Sequence, residues 1–165
     1  MKNYYFTSES VTEGHPDKIA DQISDAVLDA ALAQDPLSRV ACEVFTTTNT
    51  VIVGGEITTK AVIDFEAIAR QTLTDIGYTD DKFGIDGNNC NVQVLVHTQS
   101  PDIAMGVDAS SDTQEVGAGD QGIMFGFATN ETQNYMPLAI EMAHALVKRA
   151  SKLRKSGEFK WARPD

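Results

Sequence analysis

The 165-residue sequence predicts an α+β protein, a two-layer β-α-β-β-α-β unit followed by the start of a second, similar unit. Three observations carry that prediction. Apolar residues recur at two-residue spacing in Val40–Thr47, Thr50–Thr59 and Cys90–Val96. Between these runs they recur at three- and four-residue spacing, the period of a helix with one buried face. The pattern also restarts: displaced by 121 positions, Phe6 falls on Phe127, Pro16 on Pro137 and Ile19 on Ile140.

Taken in order, Tyr4–Thr7 reads as a short strand and is followed by a polar loop. A helix starts at His15-Pro16-Asp17, because proline suits the first helical position and an acid suits the positive end of the dipole. It should run to about Ala33 and bury Ile19, Ile23, Val27 and Ala30. Asp17, Asp21, Asp25 and Asp29 repeat every four residues on the opposite side. Like charges at that spacing repel, so the last three read as a solvated face, while Asp17 stands apart at the helix mouth. Two strands joined by Thr-Asn-Thr then suggest a hairpin. Phe65, Ile68, Ala69, Leu73 and Ile76 define a second helix, with Gly77 placed as a left-handed cap. Cys90–Val96 is a half-buried strand that completes the first unit. Thr98–Gly122 is Gly- and Asp-rich and too long for a plain connector, which suggests a lid or binding loop. Ile123–Thr129 reads as a strand and Pro137 to about Lys155 as a helix, ended by Gly157.

Composition narrows the function. Thirteen Lys plus Arg stand against 24 Asp plus Glu, a net charge of −11 that argues against nucleic acid, whose phosphates require a basic surface. The imbalance is uneven: residues 1–147 carry −16 and residues 148–165 carry +5, a basic cluster read as mostly solvated. No apolar run approaches the roughly 18 residues of a membrane span, and the N-terminus lacks a secretory apolar region, which points to a soluble, cytoplasmic protein with no membrane partner. Cys42 and Cys90 sit in alternating apolar runs and read as small core residues, not as metal or redox ligands.

Two motifs bear on chemistry. Gly117-Ala118-Gly119-Asp120-Gln121-Gly122 matches G-x-G-x-x-G, but a dinucleotide site needs a strand before it and a helix after it. Here a loop precedes and an apolar extended run follows, so a dinucleotide oxidoreductase is rejected. The glycines still allow close backbone approach to a ligand beside Asp120. The second motif is Glu13-Gly14-His15-Pro16-Asp17-Lys18. A helix N-terminus offers free N–H groups to phosphate, His15 can donate to a leaving phosphate, and Asp17 can hold a hard cation such as Mg²⁺. The same residues also serve as a plain helix cap.

Phe6–Lys18, Ile23–Ala26, the Gly117–Gly122 hexapeptide, Gln99–Ile103 and Ala128–Thr132 together resemble the S-adenosylmethionine synthetase family, also called methionine adenosyltransferases. The likeness spans the chain and is to the N-terminal portion of such enzymes. It implies a transferase that joins ATP to L-methionine, releases triphosphate and hydrolyses it to phosphate and pyrophosphate. By resemblance His15 contacts ATP near the C5′ oxygen and is catalytic, Asp17 ligates one of two Mg²⁺ ions, and Glu43 binds K⁺. Glu56 and Gln99 match methionine contacts, while Asp120 and Asp165 match ATP-binding positions. The stretch from Gln99 to about Ala109 matches a mobile loop that gates the site. The resemblance divides the chain into an N-terminal unit at 1–98, the loop and glycine motif at 99–122, and the beginning of a central unit at 123–165.

Family members are more than twice as long, have three such units, and carry further triphosphate-gripping bases and a second Mg²⁺-binding Asp beyond the segment matched here. Their sites lie between subunits, which implies a homodimer or homotetramer. The expectation is an adenosyltransferase as an intact protein and no activity from these 165 residues alone. The rival from another class is a non-catalytic nucleotide- and metal-binding module, or a regulatory partner of such an enzyme.

Overall fold

The computed structural model describes residues 4–99 and 122–165. Helix α1 (Pro16–Gln34) begins where the proline dictates, with His15 as its N-cap. It buries Ile19, Ile23, Val27 and Ala31. Ala31 takes the place expected of Ala30, because residues four apart form one continuous ridge and the contact line keeps that spacing to the helix end. Asp21, Asp25 and Asp29 are exposed, as a repelling acidic stripe should be.

Strands β1 (Arg39–Thr47) and β2 (Thr50–Thr58) form an antiparallel hairpin closed by Thr48 and Asn49, with Asn49 at φ 53°. Asparagine tolerates that left-handed conformation, which tight hairpin turns need. Strand β3 (Asn91–His97) pairs with β2 in parallel, giving a three-stranded sheet in the order β1-β2-β3. Parallel neighbours require a crossover, and helix α2 (Phe65–Ile76) supplies it. Its N-terminus is capped by the Asp64 carboxylate, which accepts from the Ala67 N–H at 2.9 Å. Its C-terminus is capped by Gly77 at φ 116°.

Both helices cover one face of the sheet. The core joins Ile19 and Ile23 of α1, Val51 and Val53 of β2, Ala69, Leu73 and Ile76 of α2, and Tyr78, Ile85 and Cys90 from the connection to β3. Burial pushes the thiols of Cys42 and Cys90 above their ordinary range, so both behave as inert small hydrophobes. The other face is open. Alternation and register put Ala41, Glu43 and Phe45 of β1, Ile52 and Glu56 of β2, and Gln93, Leu95 and His97 of β3 on it together. Phe45 and Leu95 are more than half exposed there.

Two expected strands do not form. Among the described residues Tyr4–Thr7 and Ile123–Thr129 have no ladder partner, and Tyr5 and Phe125 are almost wholly exposed. An alternating apolar run becomes a strand only when its N–H and C=O groups meet a neighbouring strand. The order among the described residues is therefore α-β-β-α-β, with a single 3₁₀ turn at Asp81–Phe83, and then helix α3 (Leu138–Lys155). No residue of α3 is buried, and Leu138, Met142 and Leu146 stay exposed. Among the described residues no helix is long and apolar enough to cross a membrane.

Candidate functional site

The site grows from the mouth of α1. The His15 backbone is extended (φ −62°, ψ 141°), and its ring Nδ1 accepts the N–H of Asp17 at 3.2 Å. That bond decides the ring's chemistry. An Nδ1 engaged as acceptor puts the proton of a neutral imidazole on Nε2, which is then the ring's donor. The Asp17 carboxylate lies 3.8 Å from the same Nδ1 and is 85% exposed. It is free to act as an oxygen ligand.

The strap leading into His15 is held from several directions. Tyr78 Oη donates to the Gly14 carbonyl at 2.6 Å, and Gln22 Nε2 donates to the Glu13 carbonyl at 2.8 Å. Burial drives the Tyr78 hydroxyl up to about 12, with the Asp165 charge adding to the rise. The chain's last residues fold back here. Thr12 Oγ1 donates to Asp165 Oδ1 at 3.1 Å, and a Cβ at Gly14 would overlap the Pro164 carbonyl, so only glycine fits. A cleft of about 440 Å³ opens at this point, lined by Gly14, Pro16, Thr46, Tyr78, Arg163 and Asp165 among others. Arg163 lies over the Phe83 ring at 5.9 Å from its centroid.

His15, Asp17 and Asp165 are thus gathered at one end of the molecule, beside the hairpin turn, where Thr46 Oγ1 donates to the Pro16 carbonyl at 3.2 Å. Glu43, Glu56 and Gln99 are not. Glu43 and Glu56 share the open face, facing Gly54 and Ala41 respectively, and Glu56 pairs with His97. Glu56 is six residues along β2 from the turn, about 20 Å at the usual rise per residue. Gln99 follows β3 at that far end, and its Oε1 is buried without a hydrogen-bond partner among the described residues. Asp120, the rest of the glycine hexapeptide before Gly122, and the loop after Gln99 lie outside the described residues.

The basic cluster departs from its expected solvation. Arg154 is only 12% exposed and pairs with Glu13 at 2.7 Å, and Lys155 pairs with the same carboxylate at 2.8 Å. Arg154, Tyr78 and Arg163 went unrecognised in the sequence. Helical periodicity marks Arg154 as a surface base, and only its long-range partner reveals its role. No group of three or more His, Cys, Asp or Glu side chains converges as a ready-made metal cage among the described residues. Asp17 alone fits a cation that takes most of its ligands from water and phosphate, as Mg²⁺ does.

A helix mouth presenting an imidazole donor and an open carboxylate, next to a cleft on an α+β scaffold, has the chemistry to take a phosphate group. The particular kinship follows from comparison. The S-adenosylmethionine synthetase N-terminal domain matches residues 3–101 and the central domain of the same enzymes matches residues 115–165. The chain belongs to the S-adenosylmethionine synthetase family. It is 60% identical over 160 residues to the S-adenosylmethionine synthase of Mycoplasma capricolum, covering 97% of this chain and 41% of that protein. The Mesoplasma florum enzyme of the same name is 61% identical, with 97% of this chain and 42% of the relative covered. That of Mycoplasma mycoides is 58% identical, with 97% and 41% covered. The chain thus spans about two-fifths of the length of the curated relatives it matches.

Proposed function

We propose that the protein forms S-adenosylmethionine from ATP and L-methionine, releasing triphosphate and hydrolysing it to phosphate and pyrophosphate. The observation that carries this reading is the His15 cap, which fixes the imidazole as an Nε2 donor beside the α1 N-terminus in a family of that name. Methionine sulfur is already a good nucleophile toward C5′ of the ribose, so little is asked of a general base. The barrier lies in aligning sulfur with carbon and in accepting the charge that develops on the departing triphosphate. His15 donates to that charge from Nε2, close to the C5′ oxygen, and the positive end of the α1 dipole adds to the same field.

Asp17 holds one of two Mg²⁺ ions, which when bound neutralise phosphate oxygens. Glu43 holds K⁺, Glu56 takes the methionine ammonium and Gln99 lies beside it. The Gln99 Oε1, buried with no partner among the described residues, supports that role, since such an acceptor gains from a ligand donor that reaches it. Asp120 and Asp165 bind ATP, and the loop from Gln99 to about Ala109 gates the site.

Glu56 lies five residues along β2 from Val51, the register partner of the Thr46 that meets Pro16, about 17 Å at the usual rise, and this separation supports sites assembled between subunits of a homodimer or homotetramer. The units proposed are 1–98, 99–122 and 123–165, in a cytoplasmic enzyme. With two-fifths of the relatives' length, the 165 residues by themselves do not suffice for turnover. The test is to incubate the native protein, and separately these 165 residues, with ATP, methionine, Mg²⁺ and K⁺ and to follow S-adenosylmethionine by mass spectrometry. Product from the native protein only is the expected result. Failure of the native protein would return the chain to a non-catalytic ligand-binding module, and robust turnover by the 165 residues would overturn their insufficiency.

A further inference from the structure

We infer that Glu13, Arg154 and Lys155 form an electrostatic clamp that positions His15, an inference resting on the functional reading above. Both oxygens of Glu13 are engaged, Oε1 by Arg154 Nη2 at 2.7 Å and Oε2 by Lys155 Nζ at 2.8 Å. The same Arg154 Nη2 donates to the carbonyl of Ile76, the last residue of α2, at 2.7 Å. Its guanidinium lies against Gly77, where a Cβ would meet Nη1 at 2.6 Å. One side chain of α3 thereby ties the loop before α1 to the end of α2, across 141 residues of sequence.

The exposures rank the members. Arg154 and Glu13 are 12% and 23% exposed, so their pair is shielded and geometrically fixed by the second bond to Ile76. Lys155 is 47% exposed, and a pair that open adds little. Arg154 is therefore the principal positioning residue. Glu13 lies two residues before His15, its carbonyl is taken by Gln22, and the Gly14 carbonyl is taken by Tyr78. Every contact on these two residues sets the origin of the imidazole. Leaving-group stabilisation depends on donor placement to about 0.5 Å, so a slack strap would misplace the Nε2 donor without altering its chemistry.

The experiment compares native protein with Arg154→Met, Arg154→Lys, Glu13→Gln and the Glu13→Gln/Arg154→Met double variant. Methionine KM should stay within about twofold while kcat for S-adenosylmethionine formation falls about tenfold in Arg154→Met and Glu13→Gln. The double variant should be no slower than Arg154→Met, since the two residues act as one unit. Arg154→Lys should recover most of the rate, as an ammonium still reaches Glu13. Backbone amide exchange over residues 12–17 should rise about tenfold in the slow variants, with β2 and β3 unchanged. That last control restricts the comparison to variants that fold. Faster exchange at 12–17 with unchanged kcat, or unchanged exchange, overturns the clamp. A wild type that forms no product overturns the functional reading and the clamp's role in it together, whereas an active wild type beside equally active variants overturns the clamp alone.

Discussion

His15 has one observed role and one proposed role, which substitution can separate. Its Nδ1 caps α1, and its Nε2 is the donor we propose for the triphosphate. Asparagine is among the strongest N-caps, so His15→Asn should change stability by less than about 1 kcal/mol while the shorter side chain loses the donor. We expect kcat to fall by roughly 10²-fold or more, the scale of losing one oriented transition-state donor, with the thermal midpoint held. A midpoint that collapses with activity would make His15 a cap and nothing more. Tyr78 offers a test of the strap by pH. Its hydroxyl is raised to about 12 in the folded chain, above the ordinary value of 10.0. The unfolded chain therefore ionises first, and stability that is intact below pH 10 is lost as pH climbs toward 12, about 2 kcal/mol by linkage. Tyr78→Phe should flatten that part of the decline in a series of alkaline melts. An unchanged slope would show that the hydroxyl does not sense the fold.

At the level of elements, α1 and α2 are both held by buried ridges, and α2 also by its caps. Ile23 is fully buried between α1 and the sheet, so Ile23→Ala should cost 2–5 kcal/mol, about the range for large-to-small core changes, in a urea titration. A loss under about 1 kcal/mol would mean that α1 is not seated on the sheet. Leu146 lies on the apolar side of α3 yet is 70% exposed, so Leu146→Ala should shift the midpoint by less than about 0.5 kcal/mol in the 165-residue chain. The contrast separates a helix that makes the core from one anchored mainly by polar contacts at its C-terminal end.

For the whole molecule, the separation of His15 and Asp17 from Glu56 makes a prediction about assembly. If a site takes Asp17 from one subunit and Glu56 from its partner, chains carrying Asp17→Asn or Glu56→Gln should each be inactive as purified native protein. Mixed and reassembled, they should recover about a quarter of wild-type activity, because half the dimers are mixed and each mixed dimer has one intact site. No recovery after verified subunit exchange would place the whole site within one chain. The open sheet face fits this arrangement: it carries Glu43 and Glu56 together with the exposed apolar Phe45 and Leu95.

The sequence by itself determined the local structure that short-range physics controls. Pro16 started α1, Gly77 stopped α2, Asn49 turned the hairpin, and two-residue alternation marked all three strands of the sheet. It also marked two runs, Tyr4–Thr7 and Ile123–Thr129, that find no partner strand among the described residues, because alternation reports a side chain's preference and says nothing about whether a partner strand is present. The motif around His15 and Asp17 was legible for the same local reason, since capping chemistry spans only three residues. Tertiary structure alone decided what lies beside that motif. Arg154 reaching Glu13, Tyr78 reaching Gly14, and Asp165 returning to Thr12 join residues 64 to 153 positions apart. Such contacts leave no periodic trace in the chain, because they depend on where folded elements meet and not on the spacing within any one of them.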